Sequence, residues 1–235
     1  INPQPGEHLV EIGPGRGALT CQLLPLVGEM DAVELDRDLI PLLESECGPI
    51  GELTIHSSDV LKFDFSSLHE GGRPLRIIGN LPYNISTPLI FYLLKNVGII
   101  LDMHFMLQKE VVERMAAAPG SSAYGRLSVM VQRYCRVERI LTIGPGAFNP
   151  PPKVDSSVVR LTPWKSPPVN IDDEGRFQDV VKAAFSQRRK TLRNSLRSLV
   201  TTEQFESAGV DPVRRAQTLS LEEFAKLANA TTAIN

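Results

Sequence analysis

The sequence of 235 residues has no apolar run near the ~18 residues that a membrane span requires, and it shows no signal peptide. Its only cysteines, Cys21, Cys47 and Cys135, lie far apart and form no Cys-x-x-Cys pair. We interpret all three as ordinary cytosolic thiols, neither a disulfide framework nor a metal site. Internal repeats and low-complexity tracts are also missing. The chain begins without an initiator Met, so we expect its natural start to lie upstream.

The overall composition, with 42% hydrophobic and 22% charged residues, is typical of a soluble globular protein. The length suits one large domain and one small domain, which we place at residues 1–165 and 166–235. Residues 1–100 carry 6 basic and 13 acidic side chains, whereas residues 101–235 carry 19 basic and 14 acidic ones. The first part therefore suits a cationic small molecule, and the second part suits a polyanion.

The chain opens with a βαβ pattern around a glycine-rich turn. An apolar strand at 8–12 runs into Gly13-Pro14-Gly15-Arg16-Gly17, and a helix at 18–27 and a second strand at 30–34 follow. This order predicts a parallel sheet with right-handed crossovers. The glycines allow a sharp turn and a close approach of the backbone to a ligand. The spacing also fits the dinucleotide fingerprint, so the motif alone leaves a nicotinamide cofactor open.

Three acidic residues favour a different ligand. Glu11 precedes the turn, where a carboxylate repels a pyrophosphate but can steady the loop beside a cation. Glu34 ends the second strand and is placed to bind both ribose hydroxyls. Asp59, which we group with Val60, follows a third strand at 53–56 and can accept from an adenine amino group. These three acids, without a basic residue that could bind a phosphate, fit a ligand made of adenosine and a positively charged centre. S-adenosylmethionine, whose sulfur carries a positive charge, is such a ligand.

The stretch Asn80-Leu81-Pro82-Tyr83 follows the apolar run 75–79 and is the main candidate for the reaction site. It lies at the carboxyl end of a strand, where open α/β sheets keep their active sites. Pro82 holds itself and Leu81 extended, so the Leu81 carbonyl is not used in a helix. The Asn80 amide adds a second acceptor, and Tyr83 adds a flat face for a planar ring. On these four residues alone, an ordinary Pro-Tyr turn is an equal alternative.

The pattern then predicts a helix behind a Ser86 N-cap, a fifth strand, two helices and two more strands, at 86–96, 99–107, 109–118, 127–134, 139–143 and 157–161. The last two strands flank a rigid proline triplet at 150–152. Phe148, at the head of that loop, is either a second stacking surface or a simple core residue.

Beyond a proline-rich linker at 163–173, the pattern is helical, at 174–185, 191–199 and 221–230, with a capping box from Ser220 to Glu223 before the last helix. Leu192, Leu196 and Leu199 form an apolar stripe on the middle helix, and a basic face adjoins it. Such basic faces are usually only solvated, but five cations without an intervening acid favour phosphate contact. They are Arg188, Arg189, Lys190, Arg193 and Arg197.

With these residues in place, the chain resembles the KsgA family, the small-subunit rRNA adenine N6,N6-dimethyltransferases. The resemblance rests on seven stretches: VEIGPGRG (10–17), VELDRDL (33–39), GNLPYNISTP (79–88), DMHFMLQKEV (102–111), YGRLSV (124–129), AFNPPPKVDS (147–156) and FSQRRKTLRNSL (185–196). It implies an α/β fold, with a Rossmann-like S-adenosylmethionine-dependent methyltransferase domain and a small all-α C-terminal domain that binds RNA or the ribosome.

The resemblance also implies a function. The expected reaction is the transfer of four methyl groups to two adjacent adenosines near the 3′ end of small-subunit (16S) rRNA, with a role in subunit maturation. The implied protein is a cytoplasmic monomer without a metal, whose partner is the small ribosomal subunit or its precursor. By resemblance Gly13 belongs to the cofactor loop, Glu34 contacts ribose, Asp59 contacts adenine, and Phe148 joins Tyr83 in gripping the base.

One departure from the family concerns the front of the chain. The family normally has an N-terminal stretch with a Gln-Asn-Phe-Leu motif that closes over the cofactor, and nothing here matches it. We therefore expect this form to fold, to bind the cofactor weakly and to transfer methyl groups slowly.

Three other functions stay open at this point. A nicotinamide-dependent oxidoreductase would leave the 80–83 stretch and the basic residues unexplained. A non-catalytic RNA-binding or ribosome-assembly factor is disfavoured by the intact 80–83 stretch. A large-subunit rRNA methylase, related to the erythromycin-resistance enzymes, fits the 185–196 stretch less well.

Overall fold

The structure is a computed structural model, and it describes residues 1–148 and 150–232. In this part of the chain the strands are β1 (His8–Ile12), β2 (Glu29–Glu34), β3 (Glu52–Ser57), β4 (Leu75–Asn80), β5 (Ile100–Gln108), β6 (Cys135–Ile143) and β7 (Ser156–Pro163). The helices are α1 (Thr20–Val27), α2 (Ile40–Cys47), α3 (Ser86–Leu93), α4 (Lys109–Met115), α5 (Arg126–Tyr134), α6 (Glu174–Ala184), α7 (Leu192–Ser195), α8 (Thr202–Ala208) and α9 (Leu221–Thr232). None of these helices has the length and apolar character needed to cross a membrane. Asn149, within the predicted proline loop, lies outside the described residues.

The strands form one seven-stranded sheet in the order β3-β2-β1-β4-β5-β7-β6. The neighbours among β1 to β5 pair in parallel, and β7 pairs antiparallel to β5. Parallel strands end at the same edge of a sheet, so the residues that follow β1, β2 and β4 lie along one edge. The chain changes direction across the sheet between β1 and β4, and such a switch point is where α/β sheets bind ligands. The α/β fold predicted from the sequence is confirmed.

Helices α1 and α2 contact each other, and an apolar cluster that includes Leu9, Leu24 and Leu43 is buried with them. Within this cluster Cys21 and Cys47 form a disulfide, although they are 26 residues apart in sequence. The interpretation of all three cysteines as free thiols is therefore wrong for this pair. Sequence spacing could not reveal it, because the packing of the two helices brings their Cα atoms to 5.2 Å. Cys135 is free and buried, and burial raises the pKa of its thiol to about 12.

The chain divides into two compact units. The first comprises Ile1–Val112 and Arg136–Pro163, and the second comprises Glu113–Cys135 and Trp164–Asn235. The second change of unit lies close to the predicted boundary after residue 165, but α5 groups with the C-terminal helices instead of with the sheet. In the second unit, α6 and α9 pack together around buried Phe177 and Phe224.

Two local predictions are wrong. The predicted helix at 191–199 is only the single turn of α7, which ends at its C-cap Leu196, where the backbone (φ −107°, ψ 8°) leaves the helical region. At its start, the Leu192 and Arg193 amides donate to the carbonyls of Arg214 (2.8 Å) and Pro212 (2.9 Å). Its Leu192 and Leu196 are nevertheless fully buried, as the apolar stripe predicted. Ser86 is not an N-cap: it is the first residue of α3, and its hydroxyl donates to the Tyr83 carbonyl at 3.1 Å. The capping box from Ser220 to Glu223 is confirmed.

Candidate active site

The glycine loop after β1 takes a backbone conformation that favours glycine. Gly13, Gly15 and Gly17 have φ angles of 66°, 59° and 81°, in the left-handed region. A Cβ atom on Gly13 or Gly15 would meet no other atom within 4 Å, so open space lies beside the loop. The Gly13 amide donates to the Val33 carbonyl at 3.0 Å, which joins the loop to the end of β2.

Glu34 ties the glycine loop to the turn after β2. One carboxylate oxygen accepts from the Gly15 amide at 3.2 Å, and the other accepts from the Asp36 amide at 2.9 Å. The side chain is buried, so these two amides fix its position. Each oxygen keeps a further lone pair, which leaves the carboxylate able to accept from two neighbouring hydroxyls of a ribose.

Glu11 is the most perturbed carboxyl group beside the loop. It is only 2% exposed, and in the described part of the chain the only hydrogen bond to its carboxyl group comes from the Thr20 hydroxyl at 2.6 Å. Burial raises its pKa from 4.5 to about 7; the charge of Glu34 adds to this shift, and the Thr20 hydrogen bond opposes it. A cation in this space would favour the ionised form. The sequence indicated Glu11, but it held no signal for Thr20.

A cavity of about 740 Å³ opens between the glycine loop and the ends of β4 and β5. Glu11, Gly13 and Gly15 line it on one side, and Asn80 and His104 are among the residues that line it elsewhere. Its volume lies within the range of small-molecule sites. Burial lowers the pKa of His104 to about 4, so this ring is neutral at neutral pH and contributes no cation there.

The Asn80–Tyr83 segment extends from β4 along the edge of this cavity. A Cβ atom on Gly79 would lie 2.6 Å from the Ile12 carbonyl oxygen, so glycine is required where β4 passes β1. Leu81 is buried, and its amide donates to the Met106 carbonyl at 3.2 Å. Among the described residues, no hydrogen bond reaches the Asn80 side chain or the Leu81 carbonyl. Neither acceptor is therefore occupied by another group of the described residues, and their role toward a ligand stays a prediction.

A second pocket, of about 350 Å³, adjoins the same segment. Its lining comprises Asn80, Leu81, Pro82, Tyr83, Phe148, Pro150, Pro152 and Ser156. Tyr83 and Phe148, the two predicted stacking residues, are thus brought to one pocket, and Tyr83 is 41% exposed. The Tyr83 hydroxyl lies 3.3 Å from the hydroxyl of buried Ser156, a residue that sequence reasoning missed. Asn80 lines both this pocket and the larger cavity.

Other predicted residues lie outside these two pockets. Asp59 accepts from the Leu61 amide at 3.0 Å and lies 3.7 Å from the Lys62 ammonium, while Val60 is buried. Neither of them lines the cavity or the smaller pocket, and neither does Glu34, although Glu34 accepts from the amide of Gly15, which lines the cavity. In the described residues, no group of three or more His, Cys, Asp or Glu side chains is arranged to hold a metal ion.

The five predicted RNA-binding cations are all exposed. Arg188, Arg189 and Lys190 lie in the turns before α7, and Arg193 lies on α7 itself. The Arg188 guanidinium donates to the Ser122 carbonyl at 3.4 Å. The cations therefore follow a turn and a short helix, and the regular helix face that their spacing suggested is absent from this described segment.

Comparison with known proteins places the chain among rRNA methyltransferases. Residues 1–233 match the family described as ribosomal RNA adenine dimethylase. The ribosomal RNA small subunit methyltransferase A of Pseudomonas aeruginosa is 57% identical over 229 residues, which cover 97% of this chain and 85% of the relative. The protein of the same name from Xanthomonas campestris pv. campestris is 54% identical over 233 residues, covering 99% and 88%.

Two solved structures are similar over nearly the whole chain. A dimethyladenosine transferase from Plasmodium falciparum has a TM-score of 0.79 and 27% identity, covering 95% of this chain and 89% of the other. The 23S rRNA methyltransferase ErmE has a TM-score of 0.73 and 21% identity, covering 98% and 93%. The second similarity concerns the fold alone.

Proposed function

We propose roles for the residues of this site on the premise that the chain belongs to the ribosomal RNA adenine dimethylase family. The protein is an rRNA adenine N6,N6-dimethyltransferase that acts on small-subunit rRNA. The observation that carries the role assignment is the position of Asn80, which lines both the large cavity and the smaller pocket. We assign the cavity to S-adenosylmethionine and the smaller pocket to the target adenine.

The residues around the cavity suit S-adenosylmethionine. Gly13 and Gly15 leave room beside the loop, and the position of the Glu34 carboxylate suits ribose hydroxyls. Glu11, with its raised pKa, responds to a cation by ionising. The bound cofactor would supply a methyl group on a positively charged sulfur. Asp59 and Val60 line neither pocket. That they would contact the adenine of the cofactor is proposed from the family resemblance alone.

Two acceptors prepare the target amine for attack. The adenine nitrogen is a weak nucleophile because its lone pair is delocalised into the ring. The Asn80 side-chain oxygen and the Leu81 carbonyl oxygen would accept its two hydrogens, which favours a pyramidal nitrogen with a localised lone pair. Catalysis then consists of positioning and electrostatic stabilisation. The nitrogen becomes acidic once it is methylated, so water can take its proton and no strong base is needed.

The aromatic residues would hold the base outside its stack. Extracting an adenosine costs a few kcal/mol. Stacking contributes about 1–3 kcal/mol per base in single-strand binders, so the rings of Tyr83 and Phe148 can offset this cost. The Tyr83–Ser156 hydrogen bond supports this role, because it limits the rotation of an otherwise exposed ring before the base arrives.

The finer parts of the function are also proposals. We propose two adjacent adenosines near the 3′ end of 16S rRNA as the target, within the small subunit or its precursor. Arg188, Arg189, Lys190, Arg193 and Arg197 would contact its phosphates, which their exposure supports. We further propose a role in subunit maturation for a cytoplasmic monomer that needs no metal.

The test is transfer of tritiated methyl groups from S-adenosylmethionine onto small subunits that lack the modification, followed by mapping of the labelled nucleotides. We expect dimethyladenosine at two neighbouring positions near the 3′ end. Label on large-subunit rRNA would instead favour a 23S rRNA methyltransferase, the activity for which ErmE is named. Subunit binding without any transfer would favour a non-catalytic assembly factor.

A further inference from the structure

The Cys21–Cys47 disulfide lies directly behind the glycine loop, and the reaction proposed above does not use it. Cys21 is in the first turn of α1, and Cys47 is the last residue of α2. Cys47 is fully buried, whereas Cys21 is partly exposed. Disulfides in cytoplasmic proteins of mesophiles are rare, and those that occur are usually transient, catalytic or redox-sensing. For the cytoplasmic protein proposed above, a bridge beside a ligand loop therefore points to a redox function.

The bridge contacts the loop through Gly17. A Cβ atom on Gly17 would lie 2.6 Å from the Cys47 sulfur and 3.1 Å from the Cys21 sulfur, so its backbone is packed against the bridge. The same Cβ would lie 2.9 Å from the Leu43 side chain, so Leu43 and both sulfur atoms pack against the same side of Gly17. The glycine loop is thus packed tightly against the disulfide.

Gly17 is joined in turn to the groups that face the ligand. Its amide donates to the Pro14 carbonyl at 2.9 Å, which closes the turn that contains Gly15. The Gly15 amide donates to Glu34, the carboxylate assigned to ribose. A displacement of Gly17 would therefore move the loop and weaken its hydrogen bond to this carboxylate.

We propose that Cys21 and Cys47 form a reversible redox-modification site that controls the affinity of the cavity for S-adenosylmethionine. This proposal rests on the cofactor assignment made above. In the oxidised form the bridge holds α1 against α2 and leaves Gly17 in place. In the reduced form the sulfur atoms separate to van der Waals distance, and because both pack against Gly17, the loop shifts and the cofactor binds less tightly.

The proposed exchange follows ordinary thiol chemistry. A thiolate of a dithiol reductant attacks the Cys21 sulfur, which is the more accessible of the two. The sulfur–sulfur bond breaks, and Cys47 leaves and takes a proton. The second thiol of the reductant then displaces Cys21, which also takes a proton, and the reductant becomes a disulfide. Two electrons and two protons pass to the protein in total, and oxidised glutathione reverses the change.

The first part of the experiment counts thiols on the full chain. After treatment with oxidised glutathione and denaturation, we expect one free thiol, from Cys135, and a mass lower by two hydrogens than that of the reduced protein. After dithiothreitol we expect three free thiols. Three thiols in both samples, or glutathione adducts without the bridge, would overturn the proposal.

The second part measures S-adenosylmethionine binding by calorimetry on both forms. We expect reduction to raise the Kd by about threefold or more. A Cys135→Ser variant should keep this response, and a Cys21→Ser/Cys47→Ser variant should bind equally with and without dithiothreitol. Equal Kd values for oxidised and reduced wild type would overturn this proposal and leave the cofactor assignment intact. If no form binds, the cofactor assignment fails, and the redox proposal fails with it.

Discussion

Asn80 lines both the cavity assigned to S-adenosylmethionine and the pocket assigned to the target adenine. Its replacement by Ala should lower the transfer rate about 100- to 1,000-fold, since removing one transition-state hydrogen-bonding partner costs roughly 2.7–4 kcal/mol. The affinity for S-adenosylmethionine should stay within about tenfold, because the loop and the acidic residues remain. Asn84→Ala is the matched control, since Asn84 is exposed in the same turn and lines neither pocket. An Asn80→Ala rate above a tenth of the wild-type value would contradict the proposed role.

Ser156 offers a second prediction, which concerns the orientation of the Tyr83 ring. Ser156→Ala and Tyr83→Phe each remove the same hydroxyl contact while keeping the ring. A hydrogen bond contributes about 0.5–1.5 kcal/mol net, so each variant should lose roughly 2- to 10-fold in kcat/KM for the rRNA. The double variant should lose no more than either single one, because all three lack one interaction. If steady-state kinetics gave the double variant a loss in kcat/KM equal to the product of the two single losses, the two hydroxyls would act independently.

At the scale of elements, the basic segment before and within α7 can be tested through salt dependence. Replacing Arg189, Arg193 and Arg197 with Ala should weaken subunit binding and reduce the slope of log K against log salt by up to about 0.9 for each phosphate that is no longer neutralised. Affinity for S-adenosylmethionine should not change, because these residues belong to the second unit and the lining of the cavity belongs to the first.

A matched variant separates specific contacts from net charge. Lys165, Lys182 and Lys226 are exposed cations of the same unit, and replacing all three with Ala removes an equal charge. Filter-binding titrations at several salt concentrations should give this control a slope close to that of the wild type. Equal slopes for both triple variants would mean that the segment contributes only diffuse charge.

Elements that follow from local chemistry could be predicted from the sequence. The first strands, the glycine turn and the capping box of α9 each have a signature within a few residues, and the sheet follows from their order. The residues 80–83 could be located because a proline-containing segment follows an apolar strand. Phe148 could be linked to Tyr83 only through the family resemblance, since they are far apart in the chain.

What could not be predicted depends on contacts between distant segments. The Cys21–Cys47 bridge requires the packing of α1 on α2. The carbonyls of Arg214 and Pro212 accept the first two amides of α7, a pairing of two segments that neither local pattern indicates. The sequence around Gly79 indicates an ordinary strand residue. Only the structure shows that the Ile12 carbonyl lies against it and leaves no space for a side chain. In each case the local pattern is compatible with two structures, and tertiary contacts select one of them.

For the whole molecule, two buried groups of the cavity should act on stability in opposite directions as pH changes. The pKa of Glu11 is raised from 4.5 to about 7, so the folded state holds a proton that the unfolded state releases. Its stabilising effect is complete below pH 4.5 and is lost as pH rises to about 7. The pKa of His104 is lowered from 6.5 to about 4, so its effect is complete above pH 6.5 and is lost as pH falls to about 4.

The two slopes, each at most about 1.4 kcal/mol per pH unit, should nearly cancel between about pH 4.5 and 6.5. Glu11→Gln keeps an acceptor for Thr20 but cannot titrate, so its stability should rise with pH across this range. His104→Gln should show the opposite slope, with stability that falls up to about pH 7. Thermal denaturation of both variants and the wild type from about pH 4 to 8 tests this prediction. For each protein, the stability at every pH is compared with the stability of the same protein at the upper end of the range. Parallel curves for all three proteins would mean that neither group titrates with the shifted pKa.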